Sequence, residues 1–224
     1  MSGCTGVNSN GDVEGLARTG SPTPVATWNP VDSPARASEL FSLESLNWYK
    51  YRFDITSNIV NMSYAYRFDY SNETYNGVEA RHIKVAIYNV YLDNSESLSS
   101  ITDVYKSKID NKVLGGHTKV YSLGKVINER DLTVNEAEHS LRPEMAYQAL
   151  SDGDGELTLS GQETIALNGK TYDCKKYTHP SSDTTHSAHT IWYTSQAPAP
   201  IIISYTTHGS ERDAVATMRL LEWG

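Results

Sequence analysis

The sequence predicts a mainly β fold: one curved antiparallel sheet or half-barrel of about ten strands, with one or two short helices. Three observations carry that expectation. Apolar and polar residues alternate with a period of two from Trp48 onward. Turn signals such as Asn76-Gly77 and Asn168-Gly169 punctuate the chain at intervals of roughly 8–15 residues. Fifteen tyrosines stand against three phenylalanines. Tyrosine pairs an apolar ring with a polar tip, so it suits strands that border water, a wet cavity or an interface.

The elements follow in order. Ser33-Pro34 reads as a helix start, because serine caps well and proline fits the first helical position. Ala37, Leu40, Phe41, Leu43 and Leu46 continue with helical spacing, predicting one short amphipathic helix over 34–46. The period then drops to two. Tyr49, Tyr51, Phe53 and Ile55 alternate with Lys50, Arg52 and Asp54 over 48–55. Met62, Tyr64, Tyr66, Phe68 and Tyr70 alternate with polar or small residues over 61–70. Each segment has one polar face, as an antiparallel sheet with one wet side requires. A turn over 71–77 leads to a return strand over 78–92, for which a helix is the alternative. A polar loop over 93–100 precedes strands near 102–108, 113–122 and 125–132. Residues 143–150 suit a second short helix. Strands over 156–167 and 170–178 meet at Asn168-Gly169, and the last three cover 187–195, 201–207 and 213–223. Pro198 and Pro200 break the first of the final connections, and His208-Gly209-Ser210 turns the second.

The first 33 residues differ from the rest. Met1-Ser2-Gly3-Cys4 resembles the end of a prokaryotic lipobox, where small residues precede a cysteine that becomes acylated. Cys4 is therefore the expected lipid anchor, since a diacylated cysteine buries enough methylene groups to hold a membrane stably. The Gly, Ser, Thr, Asn and Pro that follow cannot bury enough apolar surface to offset ordering, so 1–33 is expected to be a flexible tether and 34–224 the globular domain. Cys174 is expected as a small buried hydrophobe on a strand. A formal net charge of −8 argues against nucleic acid as a partner. No run of eighteen apolar residues occurs, so no transmembrane helix is expected.

The order of pieces resembles the lipoprotein-carrier superfamily of LolA, LolB, LppX and LprG. The residues that carry the resemblance are the helix-to-strand entry Ala37–Ile55, the run Leu167-Asn168-Gly169-Lys170-Thr171-Tyr172-Asp173-Cys174-Lys175-Lys176-Tyr177, and the terminal strands with Ile191-Trp192-Tyr193, Ile201-Ile202-Ile203 and Met218–Trp223. The resemblance implies an unclosed, strongly curved antiparallel sheet whose concave face holds acyl chains or lipoproteins. The chain departs from that pattern in having little helix and no long apolar lid helices.

Candidate sites follow from residue type. The stripe of Tyr49, Tyr51, Phe53, Met62, Tyr64, Tyr66 and Phe68 is the expected ligand-binding face for an apolar or amphiphilic ligand, with ordinary core beneath a helix as the competing reading. His179, Asp183, His186 and His189 form the densest set of metal-type ligands. His186 and His189 fall on opposite faces of any strand, so only a loop would converge the set, and a solvated hairpin tip is the ordinary reading. Asp152, Asp154, Glu156 and Glu163 have calcium-loop spacing, but Leu157 stands where glycine is needed. No catalytic motif is present, so no catalytic residue, cofactor or enzyme activity is expected. The sequence therefore points to an extracytoplasmic cell-envelope lipoprotein domain that binds an apolar or amphiphilic ligand such as a lipid. The alternatives are a surface interaction module without a small-molecule ligand, and a metal-dependent hydrolase.

Overall fold

The computed structural model describes residues 32–41, 46–59, 61–141, 156–179, 188–208 and 213–224. Its strands in chain order are β1 (Trp48–Thr56), β2 (Asn61–Tyr75), β3 (Val78–Val90), β4 (Glu96–Ser107), β5 (Val113–Ser122), β6 (Lys125–Leu132), β7 (Thr158–Leu167), β8 (Lys170–His179), β9 (His189–Tyr193), β10 (Ile202–His208) and β11 (Asp213–Trp223). One helix, α1 (Val134–Ser140), lies between β6 and β7. The eleven strands form one antiparallel sheet in the order β6-β5-β4-β3-β2-β1-β11-β10-β9-β8-β7. Two meanders, β1–β6 and β7–β11, thus meet where β1 pairs β11, and among the described residues β6 and β7 are the outermost strands.

The alternating sequence explains the register. Tyr49 lies opposite Phe68, Tyr51 opposite Tyr66, and Phe53 opposite Tyr64. The row continues across Phe68 to Val85 and across Tyr70 to Ile83, which faces Val104. All these residues share one face, and its buried part, with Tyr49, Tyr51, Phe68, Ile83, Val85 and Val104, forms the core with Leu40, Ile191, Ile203, Met218 and Leu220. The other face carries ion pairs such as Arg52–Asp54 at 2.7 Å and Arg67–Asp69 at 2.8 Å.

The sheet curls strongly at its β7 end. Three strand spacings separate β8 from β11, about 14 Å in a flat sheet. Yet the Tyr172 ring lies 6.4 Å from that of Trp223, and Asn168 Nδ2 donates to the Leu221 carbonyl. The edge strand β7 also carries a bulge. Ser160 is an extra residue between Leu159 and Gly161, opposite Tyr177 and Lys176, and bulges bend the strand that carries them. Burial slips by one residue there: Tyr172 and Cys174 are buried on one phase, Tyr177 and His179 on the other.

At the other end α1 covers the inner face. Thr133 accepts from the Glu136 backbone N–H while the Glu136 carboxylate accepts from the Thr133 backbone N–H, a reciprocal N-terminal cap. Arg130, 2.9 Å away, is the main cause holding the Glu136 carboxyl down to about 2. Ala137 and Leu141 are buried beside Leu132 and Val113. Gly116 permits this contact: a Cβ there would lie 2.5 Å from the Asp103 carbonyl oxygen and 3.3 Å from Ala137.

Several expected boundaries change. The helix over 34–46 reduces, within the described residues, to a single 3₁₀ turn at Ala37–Leu40, with Phe41 already extended at φ −120°, ψ 130°. Glu39 ties back to the Ala35 backbone N–H at 2.7 Å. The Ala35 carbonyl accepts from the Leu157 N–H at 3.0 Å and Arg36 forms an isolated antiparallel β-bridge with Glu156, so extended pairing occupies the start of the expected helix; beyond it Asn47 and Trp48 donate to the Gly224 carbonyl at 2.9 and 3.0 Å. The loop expected over 93–100 becomes β4 from Glu96, because β3 pairs with Glu96, Ser97, Leu98 and Ser100 around a bulge at Ser99. The turn expected over 71–77 narrows to Asn76-Gly77, both left-handed at φ 50° and 81°. Residues 78–90 are strand, not helix. The second helix expected over 143–150 lies outside the described residues, as do residues 1–31 of the expected tether. The Asp32 carbonyl accepts from Lys175 Nζ at 2.5 Å.

Candidate ligand-binding face

The aromatic stripe is one continuous surface with two different ends. At one end Tyr49, Tyr51 and Phe68 are 0–1% exposed. Their rings stack, with Tyr49–Phe68 at 5.0 Å and Tyr51–Phe68 at 5.9 Å. This end is filled core. Along the same two strands Phe53, Tyr64 and Tyr66 are only half-buried, and Met62 is 40% exposed. Tyr51 and Tyr66 stack at 5.4 Å and link the two ends. Tyr64 and Tyr66 follow at 6.5 Å, and the Tyr64 hydroxyl lies 3.5 Å from Met62 Sδ. The sequence-derived stripe is therefore brought together on one face, but its two halves have different surroundings.

The half-buried end has a second wall. Met218 lies opposite Phe53, and Ala216 opposite Ile55. Tyr205 of β10 pairs with Ala216 and stands 4.8 Å from the His189 ring. His179 lies directly across from His189, with ring centroids 6.1 Å apart. Burial pushes the Tyr205 phenol above its usual range, and burial followed by Tyr64 does the same for Tyr66. Both phenols thus stay neutral donors at ordinary pH. An apolar floor edged by neutral hydroxyl and imidazole groups can take an apolar body and one polar end.

Of the expected metal set, His179 and His189 are brought together, while Asp183 and His186 lie outside the described residues. Burial holds the His179 imidazole below its usual pKa. Among the described residues no group of three or more metal-type side chains is placed to hold one ion. The calcium-like spacing is not assembled within the described residues either. Asp152 and Asp154 lie outside them, Glu156 bridges to Arg36, and Glu163 accepts from Trp192 Nε1 at 2.7 Å. Cys174 is buried and free. Burial, with Asp173 and Glu163 adding to it, pushes its thiol up to about 11, so it is poorly reactive. It borders an open depression of about 380 Å³ lined by Gln162, Glu163, Thr164, Asp173, Cys174 and Lys175. That depression is polar and remote from the aromatic stripe.

The outer face holds a polar cluster that sequence reasoning missed. His82 Nδ1 lies 2.8 Å from Glu73 and 3.2 Å from Ser71 Oγ, and its Nε2 lies 2.8 Å from Asp103. His117, opposite Asp103, sits between Asp131 and Glu129 at 3.0 Å each. Burial alone would lower the His82 pKa, but the hydrogen bonds and charges of Asp103 and Glu73 outweigh it and raise it. The Asp131 hydrogen bond leads the rise at His117. Ser71 also donates to Glu73 at 3.1 Å, so its hydroxyl is one member of a satisfied network. No local motif marks this cluster, because its members come from five strands.

Comparisons with known proteins add little to this geometry. No family model matches the chain, and no curated protein matches it. Among solved structures, a protein of the DUF1329 family from Desulfovibrio piger aligns over 81% of this chain and 86% of its own, at 9% identity and a TM-score of 0.34. A domain described as an outer membrane lipoprotein-sorting protein from Vibrio parahaemolyticus aligns over 79% of this chain and 83% of its own, at 8% identity and a TM-score of 0.29.

Proposed function

We propose that this chain is a cell-envelope domain that binds an apolar or amphiphilic ligand on the inner face of its curved sheet, at Phe53, Met62, Tyr64 and Tyr66. One observation carries the reading. A single aromatic stripe passes from fully buried to partly exposed along β1 and β2, so aromatic surface is presented where the core stops. Exposed aromatic and thioether groups in a concave setting gain about 25 cal/mol for each Å² that a ligand covers. The lipobox-like Ser2-Gly3-Cys4 supports an extracytoplasmic location with an acylated Cys4, and mass spectrometry of the native protein tests that part. Among the described residues no helix is long and apolar enough to cross a membrane. The reading assigns binding, not catalysis.

Titration of the purified chain with N-phenyl-1-naphthylamine, a neutral fluorescent hydrophobe, tests the proposal. Saturable enhancement is expected, weakened at least tenfold by Met62→Gln with Tyr64→Ser. Leu92→Ser, at a fully exposed position on the β3–β4 connection, should leave it unchanged. The absence of saturable binding would favour the alternative, an interaction module without a small-molecule ligand.

A further inference from the structure

His179 is an expensive residue where it stands. It is only 7% exposed, and neither ring nitrogen has a hydrogen-bond partner among the described residues. A neutral imidazole carries one donor and one acceptor, and a buried polar atom left without a partner loses the hydrogen bonds it made with water. An apolar side chain would fill the same space without that cost. The position also has a direct neighbour of the same chemistry. His179 ends β8, His189 begins β9, and the two are cross-strand partners. Their rings meet at 6.1 Å between centroids with an interplanar angle of 62°. Two imidazoles sharing one ion at metal–nitrogen distances of about 2.0–2.1 Å have centroids roughly 5–6.5 Å apart, for angles between tetrahedral and linear. The observed spacing falls in that range, on two adjacent strands that fix it.

We propose that His179 and His189 form a two-imidazole site for a divalent transition-metal ion such as Zn²⁺, at the end of β8 and β9 beside Tyr205. An ion bound to His179 supplies a partner to a ring nitrogen that has none among the described residues. Paired imidazoles without a thiolate suit zinc, nickel and copper over magnesium or calcium. With two protein ligands and the remaining positions taken by water, the site binds more weakly than a closed four-ligand site, and it exchanges its ion. The net charge of −8 favours any cation near the chain. The site borders the proposed ligand-binding face through Tyr205, and its test reads the two imidazoles themselves and not ligand binding at Met62 and Tyr64.

The test uses the full chain carrying Cys4→Ser, which removes the terminal thiol as a competing ligand. Long-range proton–nitrogen NMR spectra of ¹⁵N-histidine protein are recorded during a Zn²⁺ titration. The His179 and His189 resonances should move together, reach completion at one equivalent, and return on addition of EDTA. Calorimetry should show at least a tenfold loss of affinity in His179→Ala and in His189→Ala. Asp183→Ala with His186→Ala should retain binding. Zn²⁺ shifts confined to His82 or His117, no shift at one equivalent, or loss of binding in the Asp183/His186 variant would each overturn the proposal. Should His179→Ala fail to fold, the spectra of the unsubstituted imidazoles still decide.

Discussion

Replacing Phe68 by alanine separates the two ends of the aromatic stripe. Phe68 is 0% exposed, stacked on Tyr49 at 5.0 Å and Tyr51 at 5.9 Å, and opposite the buried Val85. Those rings are held by both neighbouring strands, so the space left by the lost phenyl cannot collapse fully. Truncating a buried phenylalanine in such a setting costs about 3–5 kcal/mol. Part of that is stacking worth about 0.5–1.5 kcal/mol beyond area. Domains have only about 5–15 kcal/mol in total, so the loss is a large share. With a urea dependence of about 2–3 kcal/mol per molar, the unfolding midpoint should fall by roughly 1–2 M with little change in slope. Far-UV circular dichroism of the full chain in urea gives both numbers. Tyr64→Ala, on the same strand and face but half-buried, should cost about 1 kcal/mol or less. A Phe68→Ala midpoint within about 0.3 M of wild type, or a Tyr64→Ala loss as large as that of Phe68→Ala, would refute the division of the stripe into core and accessible halves.

Other consequences follow from single positions. Leu123 is 100% exposed in a left-handed turn at φ 50°, so Leu123→Asn should raise stability by about 1 kcal/mol in the same urea assay. Gly116→Ala should lose about 1–3 kcal/mol, because the new Cβ meets the Asp103 carbonyl at 2.5 Å and neither backbone can yield freely. His82 has a folded-state pKa above its ordinary 6.5, set by Glu73 on β2 and by Asp103 on β4, with the Tyr105 ring stacked on it. Its contribution to stability is therefore fully present below pH 6.5 and is lost as pH rises through the raised value. Thermal melts should show that decline, and His82→Gln should flatten it; an unchanged profile would remove the His82 contribution.

The strand layout was legible because a half-wet sheet writes its register into the chain. Tyr49–Ile55 and Met62–Tyr70 keep strict alternation, and the structure pairs them residue for residue. Where alternation is weak, local reading fails. Glu96 to Ser100 looks like a loop because serine has little preference for strands, yet β3 supplies partners for Glu96, Ser97, Leu98 and Ser100, with Ser99 bulged out of the ladder. The helix expected over 34–46 has good spacing, but Ala35 and Arg36 at its start pair in extended form with Leu157 and Glu156. Thr133-Val134-Asn135-Glu136 is a capping-box pattern that local reading could have found, and it starts the one described α-helix.

The candidate site was legible in part. The sequence marks Tyr49 and Tyr64 alike, since both are tyrosines on one alternating face. What distinguishes them is the rest of the chain: Phe68 and Tyr70 stack around Tyr49, while the β1–β2 end is left partly open. The pairing of His179 with His189 needed the β8–β9 register, which no spacing rule provides. The His82 cluster draws on β2, β3 and β4, with β5 and β6 extending it, and so leaves no local pattern at all.

Photo-crosslinking with a diazirine-bearing fatty acid, followed by peptide mapping, addresses the accessible aromatic face directly. The label should fall on the strands carrying Phe53, Met62, Tyr64 and Tyr66, and excess unlabelled fatty acid should compete it away. Labelling spread instead over exposed apolar residues elsewhere, such as Leu92, Ile109 and Leu123, without competition, would contradict a binding site on the inner face.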